Sequence, residues 1–414
     1  MTGTGPADDP GQPVDFNPMV SPHRDNPYPF YQLARSRPVT LSRALDAYLV
    51  TRYTDIHTVL DDPDTFTSRN AFPRIYDNAP EVVAELRAGN VPEWRRLVDE
   101  DKPRHRQVRA LMDVGISGQR IRSLLPLIQR SADELVDALT GGTADLVSQY
   151  ATPYVAAIIN AIIGFPPEDA PRIQAWTNDQ LAMTNPTLPA ERKVLAARGL
   201  GEFTRYLQKL IDDRRASPRD DLISVLTHGA NGIAGVAEDD YVQGIIRGTR
   251  IAGFPTTRDA ITATTLHALQ NRHVNQGVVA EPTRTIIKAS EEALRRNPPN
   301  AGVFRFTTRE VELGGALLPA GARLLLVFDS ANRDETVFAD PDTFVLDRPN
   351  VHDHLSFGRG QHACPGAQMA RAEIRVALRT LFGRLPDIRL ADGYRPTYQG
   401  AHLVRGLAAL DVCW

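Results

Sequence analysis

Apolar residues recur every three to four positions through most of the chain, the spacing of helices that bury one face. Residues 121–139, 154–163, 194–214 and 241–270 carry this pattern, and each is predicted to be a helix. From Ala367 the same spacing runs through Ala370, Ile374, Ala377, Leu378 and Leu381. Strand-like stretches are few. Residues 39–43 and 47–51 read as two strands joined by a short polar turn. A second pair is expected at 311–313 and 323–327, with Gly314-Gly315 and Pro319-Ala320-Gly321 as turn signals. No internal repeat or low-complexity linker divides the chain. The pattern predicts a mainly α fold with a small β lobe, built as one domain over residues 19–414. Residues 1–18, rich in Pro, Gly, Asp and Thr, read as a flexible or locally docked tail.

Composition narrows the class. At 414 residues, with 42% hydrophobic and 23% charged positions, the chain is an ordinary large globular protein. A net charge of -3 without a Lys/Arg tract speaks against nucleic-acid binding. Neither a signal peptide nor a bilayer-length apolar run is found, so a cytoplasmic protein without a membrane segment is expected. The two cysteines, Cys364 and Cys413, form no CxxC pair and cannot supply the four thiolates of an iron–sulfur cluster. Arginine outnumbers lysine and alanine is abundant, as in GC-rich bacterial genomes.

The most informative local feature is Phe357-Gly358-Arg359-Gly360-Gln361-His362-Ala363-Cys364-Pro365-Gly366, which delivers one cysteine to the start of a helix. Gly358 and Gly360 can take the positive φ of a tight loop, and Gly366 leaves room for a flat ligand. Unpaired N–H groups and the dipole at a helix N-terminus favour thiolate over thiol at Cys364. A lone cysteine is most often a small buried hydrophobe. Here the phenylalanine, the glycines and the following helix all stand at fixed offsets around it. The loop resembles the haem-ligand loop of the cytochrome P-450 superfamily, Phe-x-x-Gly-x-x-x-Cys-x-Gly. The resemblance extends over nearly the whole chain from about Asn26. It implies the cytochrome P-450 fold, haem b ligated through its iron by Cys364, and a thiolate that favours O–O cleavage. Phe357, Gly358 and Gly366 would form the bed.

Companion motifs support the resemblance. Glu292-Ala293-Leu294-Arg295 is similar to the family's Glu-x-x-Arg. Taken alone it is an i,i+3 ion pair of little worth. The resemblance implies a buried scaffold pair joined by a later arginine, here Arg348 in Asp347-Arg348-Pro349. Four basic residues are implied to hold the haem propionates. His105 and Arg109 share one face of a predicted helix, Arg305 follows the Glu-x-x-Arg helix, and His354 precedes the cysteine loop. Arginine suits such carboxylates through its paired donors.

The oxygen side departs from the family. Ala252-Gly253-Phe254-Pro255-Thr256 lies in the middle of the 241–270 helix. The family has Ala-Gly-x-(Asp/Glu)-Thr, where the glycine clears space over the iron and the acid and alcohol relay protons to dioxygen. Ala252, Gly253 and Thr256 match; Pro255 replaces the acid. Proline lacks an N–H and crowds the carbonyl of Ile251, so a kink is expected. Asp259 is the nearest acid downstream, with Arg258 beside it. Thr256 is either a proton relay or a hydroxyl bonded back to an earlier carbonyl.

By resemblance, the substrate pocket draws on residues 69–94 and 176–188, the central helix, Val303 and Phe304, and a late loop at His402-Leu403. Phe72, Trp94, Phe254 and Phe304 would make it apolar and aromatic, while Gln180 and Arg250 could hold a polar substrate. The resemblance implies a bacterial, monomeric haem-thiolate monooxygenase of secondary metabolism. It would take electrons from NAD(P)H through a separate ferredoxin and reductase, and insert oxygen from dioxygen into a small natural product. Arg104, Arg106, Arg371 and Arg375 form either a docking face or a solvated charged face. Oxidative coupling, demethylation and a peroxide-driven reaction stay open. A haem-based ligand sensor or carrier is the non-enzyme alternative, and no sensor domain is visible in the sequence.

Overall fold

A computed structural model describes residues 13–18, 20–72, 77–92, 96–185, 188–229, 233, 236, 238–399 and 403–414. Its axis is the helix Asp239–Gln270, 32 residues long. Buried side chains lie round most of this central helix, including Tyr241, Ile245, Phe254 and Ile261, and between its ends only a stretch around Ala252 is open. The helices Thr152–Ile163, Pro282–Arg296 and Ala367–Arg384 pack against it. The other predicted helices appear as Gly118–Asp137 and Ala190–Ala216. Ser117 caps the first by accepting from the N–H of Arg120 at 3.3 Å. Pro255 sits inside the central helix, which continues through it as one element.

The β lobe is a five-stranded sheet in the order Thr40–Ser42, Ala47–Val50, Arg323–Val327, Gly302–Thr307, Phe66–Thr67. Only Ala47–Val50 and Arg323–Val327 run parallel, with Leu49 opposite Leu325. The expected pairing of 311–313 with 323–327 is not formed. Val311–Leu313 instead closes a small hairpin with Ala316–Leu318 across Gly314-Gly315, both glycines having positive φ. The true partner, Gly302–Thr307, escaped the sequence reading because it is buried on both faces and shows no alternation.

The tail is docked sooner than expected. Val14 donates its N–H to the carbonyl of Leu41 at 2.9 Å, and Phe16 is buried against Phe30, the ring centroids 4.2 Å apart. Among the described residues no helix is long and apolar enough to cross a membrane.

Candidate active site

The cysteine loop bridges the sheet lobe and the helical core. Gly358 and Gly360 have φ of 64° and 69°, and a Cβ at Gly360 would stand 3.0 Å from the carbonyl oxygen of Leu60. The Cys364 N–H donates to the carbonyl of Phe357 at 2.8 Å, which closes the loop. Gly366 then caps the helix Ala367–Arg384. A Cβ there would meet only the Cys364 sulfur, at 3.8 Å, so the space beside the thiol is open. Cys364 is accessible although protein encloses it on most sides. Burial raises its thiol above the ordinary value, against the pull of the Gly366 and Ala367 N–H groups and of Arg109 and Arg371. The helix terminus therefore does not by itself secure a thiolate; a directly bound metal cation would.

Basic side chains gather beside this space. Arg305, 3% exposed, donates to the carbonyl of Phe304 at 2.7 Å. Asp101 and Asp99 act on it only from a distance, and burial pushes its pKa down to about 10. The rings of His105 and His362 lie 4.2 Å apart, and the Nε2 atoms of both are buried without a partner among the described residues. Burial, followed by Arg305, His105 and Arg109, drives His362 down to about 3; burial likewise lowers His105. Arg109 holds the loop by donating to the Ala363 carbonyl at 2.7 Å and pairs with Asp113 at 2.8 Å.

His354 stands apart from this group. Its Nδ1 accepts from the N–H of Ser356 at 3.3 Å, so Nε2 carries the proton and faces Glu291 at 3.2 Å. Both ring nitrogens are committed, and the propionate role proposed for His354 finds no free atom. His362, two residues before the cysteine, instead lies beside His105 with its Nε2 unpartnered among the described residues. The sequence signal was its position inside the loop itself. Arg371 also turns inward, bonding Glu291 at 2.6 and 2.8 Å beneath the Phe357 ring, which leaves Arg106 and Arg375 as the exposed members of the expected docking face.

Glu292, Arg295 and Arg348 are brought together. Arg295 donates to both Glu292 oxygens at 2.8 Å, and Arg348 Nε lies 3.1 and 3.0 Å from the same pair. The remaining donors reach the carbonyls of Asn332, Pro341, Thr343, Ala339 and Asp340.

On the central helix, Ala252 and Thr256 share the accessible face. Thr256 Oγ1 donates to the Ala252 carbonyl at 2.5 Å, the back-bonded arrangement. Gly253 does not face that side; a Cβ there would stand 2.8 Å from Ile159 Cδ1, so its missing side chain admits the neighbouring helix. Arg250 and Phe254 are two residues from Ala252, about 200° around the helix, and are buried on the far side with the guanidinium 4.2 Å above the ring. Gln174, not Gln180, accepts from Arg250 at 3.0 Å; Gln180 is buried elsewhere on Ala170–Ala182. Strand alternation separates Val303 from Phe304. Val303 shares a cluster with Phe66 and Phe72, whereas Phe304 packs with Phe16 and Tyr31. Of the expected pocket, Phe72 and Val303 thus lie together, while Arg250, Phe254 and Phe304 point elsewhere. Trp94 and His402 lie outside the described residues.

Comparison with known proteins agrees with this architecture. The family model for cytochrome P450 matches residues 240–385. Cytochrome P450-SU2 of Streptomyces griseolus is 32% identical over 98% of this chain and 95% of its own. Nocardicin C N-oxygenase of Nocardia uniformis subsp. tsuyamanensis is 34% identical over 91% and 92%. The crystal structure of the Tepidiphilus thermophilus P450 heme domain superimposes with a TM-score of 0.89 at 28% identity, covering 97% and 96%. The chain belongs to the cytochrome P450 family. It is a monooxygenase of that family, which uses haem and dioxygen. The residues present fit that group: an open thiol faces one side, and Arg305, His105 and His362 offer donors that lack an anion.

Proposed function

We propose that this chain is a haem b monooxygenase acting on a small natural product in the cytoplasm, with Cys364 as the iron ligand. The observation that carries the reading is the buried basic group of Arg305, His105 and His362, without a carboxylate partner among the described residues, beside an accessible cysteine. Unpaired buried donors are costly, and two anionic propionates would supply what they lack. Bound there, haem would activate dioxygen with electrons from NAD(P)H. Arg109, tied to the Ala363 carbonyl, would orient the loop under it. The Glu292–Arg295–Arg348 group would hold the segment 339–348 that leads into the loop. Phe72 and Val303 would present apolar surface to the substrate. Thr256 Oγ1 would hold a proton on the open face of the central helix, its second lone pair free to accept another.

A natural-product substrate is supported by the similarity to the enzyme named nocardicin C N-oxygenase. A separate ferredoxin and reductase suit a chain whose two cysteines cannot build a cluster, with the exposed Arg106 and Arg375 offering charge to an acidic partner. A second reading, a peroxide-driven reaction, is favoured by one observation, Pro255 in place of the usual acid. The test is reconstitution with a surrogate ferredoxin and reductase, after screening compounds for a substrate-induced spin shift. Product gaining one oxygen atom from labelled dioxygen supports the proposal. Turnover with peroxide alone, and none with NADPH, supports the second reading.

A further inference from the structure

The acid missing at Pro255 has a counterpart one turn later. Asp259 is 3% exposed. Its Oδ1 accepts from Arg258 Nε at 2.7 Å, while Oδ2 is buried without a partner among the described residues. At 3.6 residues per turn, Ala252, Thr256 and Asp259 fall at i, i+4 and i+7 on one face. Helical side chains lean toward the N-terminus, so the Asp259 carboxyl covers the turn that contains Pro255 and Thr256. The Cβ atoms of Thr256 and Asp259 are separated by about 5–6 Å, the ordinary i,i+3 distance.

Two further features adapt the site to this acid. A Cβ on Gly406 would stand 2.1 to 2.3 Å from the Asp259 carboxyl atoms; only glycine in the strand Gly406–Leu407 leaves them room. Proline at 255 also removes the N–H that the Ile251 carbonyl would accept within the helix. An open carbonyl is a place for water, and it lies along the same stripe as residues 255 and 259.

Resting on the monooxygenase reading, we propose that Asp259 supplies the proton which Thr256 carries, in place of the acid at 255. The proton leaves Oδ2 for a water at the Ile251 carbonyl and passes to Thr256 Oγ1, and the carboxylate regains a proton from solvent. Insertion of one oxygen atom into a C–H bond consumes dioxygen, two electrons and two protons and releases one water; the electrons come from the redox partner. Asp259 acts through Thr256 and is a positioning and proton-holding residue. Arg258, on the same helix, is the charged group acting on it, and Gly406 on the strand opposite leaves room for the carboxyl. The carboxyl is pushed up to about 6 by burial, which Arg258 opposes, so it exchanges protons near neutral pH.

The experiment uses the holoenzyme with NADPH and a surrogate ferredoxin–reductase pair, without organic substrate, reading NADPH oxidation from pH 5 to 8. In wild type the rate should change across about pH 6. Asp259→Asn should lose that pH dependence and fall about tenfold, and Asp259→Glu should recover part of both. Infrared spectra of the same proteins should show a protonated-carboxyl band that titrates near 6 and vanishes in Asp259→Asn. Haem content equal to wild type keeps the comparison clean. An unchanged rate and pH profile in Asp259→Asn, or an unchanged infrared band, overturns the proposal. If wild type shows neither NADPH oxidation nor a thiolate-type carbon-monoxide spectrum, the monooxygenase reading falls first and takes the proposal with it.

Discussion

Two buried charged clusters flank the cysteine loop, and they are built on opposite principles. Around Glu292 every charge is answered: two guanidiniums share one carboxylate, and their spare donors reach five backbone carbonyls. Around Arg305 the basic groups are unanswered among the described residues, with the Nε2 atoms of His105 and His362 orphaned and His362 depressed by burial and then by Arg305. The first cluster is finished when the chain folds. The second is finished only when an anion arrives. Satisfaction, rather than burial or charge, separates a structural cluster from a ligand site.

That comparison breaks if the two clusters respond alike to mutation. The largest effect is expected from Glu292→Gln, which strands two buried arginines. It should cost roughly 3–5 kcal/mol of stability, with or without haem, and denaturant titration of the apoprotein measures it. Arg305→Ala should behave in the opposite way. Its guanidinium is buried without a carboxylate partner, so the apoprotein should change by no more than about 1 kcal/mol, whereas haem should dissociate about 100-fold more readily or worse. Equal destabilisation of the apoprotein by both variants would erase the distinction.

Buried acids sharpen it through pH. Asp259 and Asp329 are both pushed up to about 6, chiefly by burial and against nearby arginines. A raised carboxyl pKa is without cost while the group is protonated, and the penalty grows as pH climbs from about 4 to above about 6. At about two units each, the ceiling is about 3 kcal/mol per group. Glu291 has the opposite sign: burial raises it, but hydrogen bonds from Arg371 and His354 outweigh that and hold it below the usual range. Its contribution is present above the ordinary glutamate pKa and is lost as pH falls below it. Below about pH 6.5 the depressed histidines His362 and His267 oppose the growing penalty of the two aspartates, because only the unfolded chain protonates these rings. Asp329→Asn should therefore make apoprotein stability rise more, or fall less, between about pH 5 and 7 than it does in wild type. The smallest effect is expected at Cys413, which lies in the strand Asp411–Cys413 away from the loop; Cys413→Ser should leave both haem spectrum and stability within about 0.5 kcal/mol of wild type.

Much of the site was legible because its information is local. The glycines, Cys364 and the helix after it lie within one short stretch, and Glu292 and Arg295 within one helical turn. The errors came where three dimensions decide. His354 is as near the loop in sequence as a propionate ligand needs to be, yet Glu291, brought in from another helix, claims its ring. Phe304 and Val303 are neighbours in sequence and point into different cores because strands alternate. Arg250 was read as a contact for a polar substrate and Gly253, by motif, as the glycine over the iron, while the rotation of the helix turns one to the far side and the other to Ile159. The strand Gly302–Thr307 was hidden because burial on both faces removes the polar half of its pattern.

The central claim is that Cys364 supplies the thiolate on the haem iron, and the reduced carbon-monoxide difference spectrum tests it most directly. Wild type and Cys413→Ser should show the red-shifted band of a thiolate-ligated haem, and Cys364→Ser should retain haem but lose that band. A Cys364→Ser protein with the wild-type spectrum would contradict the account.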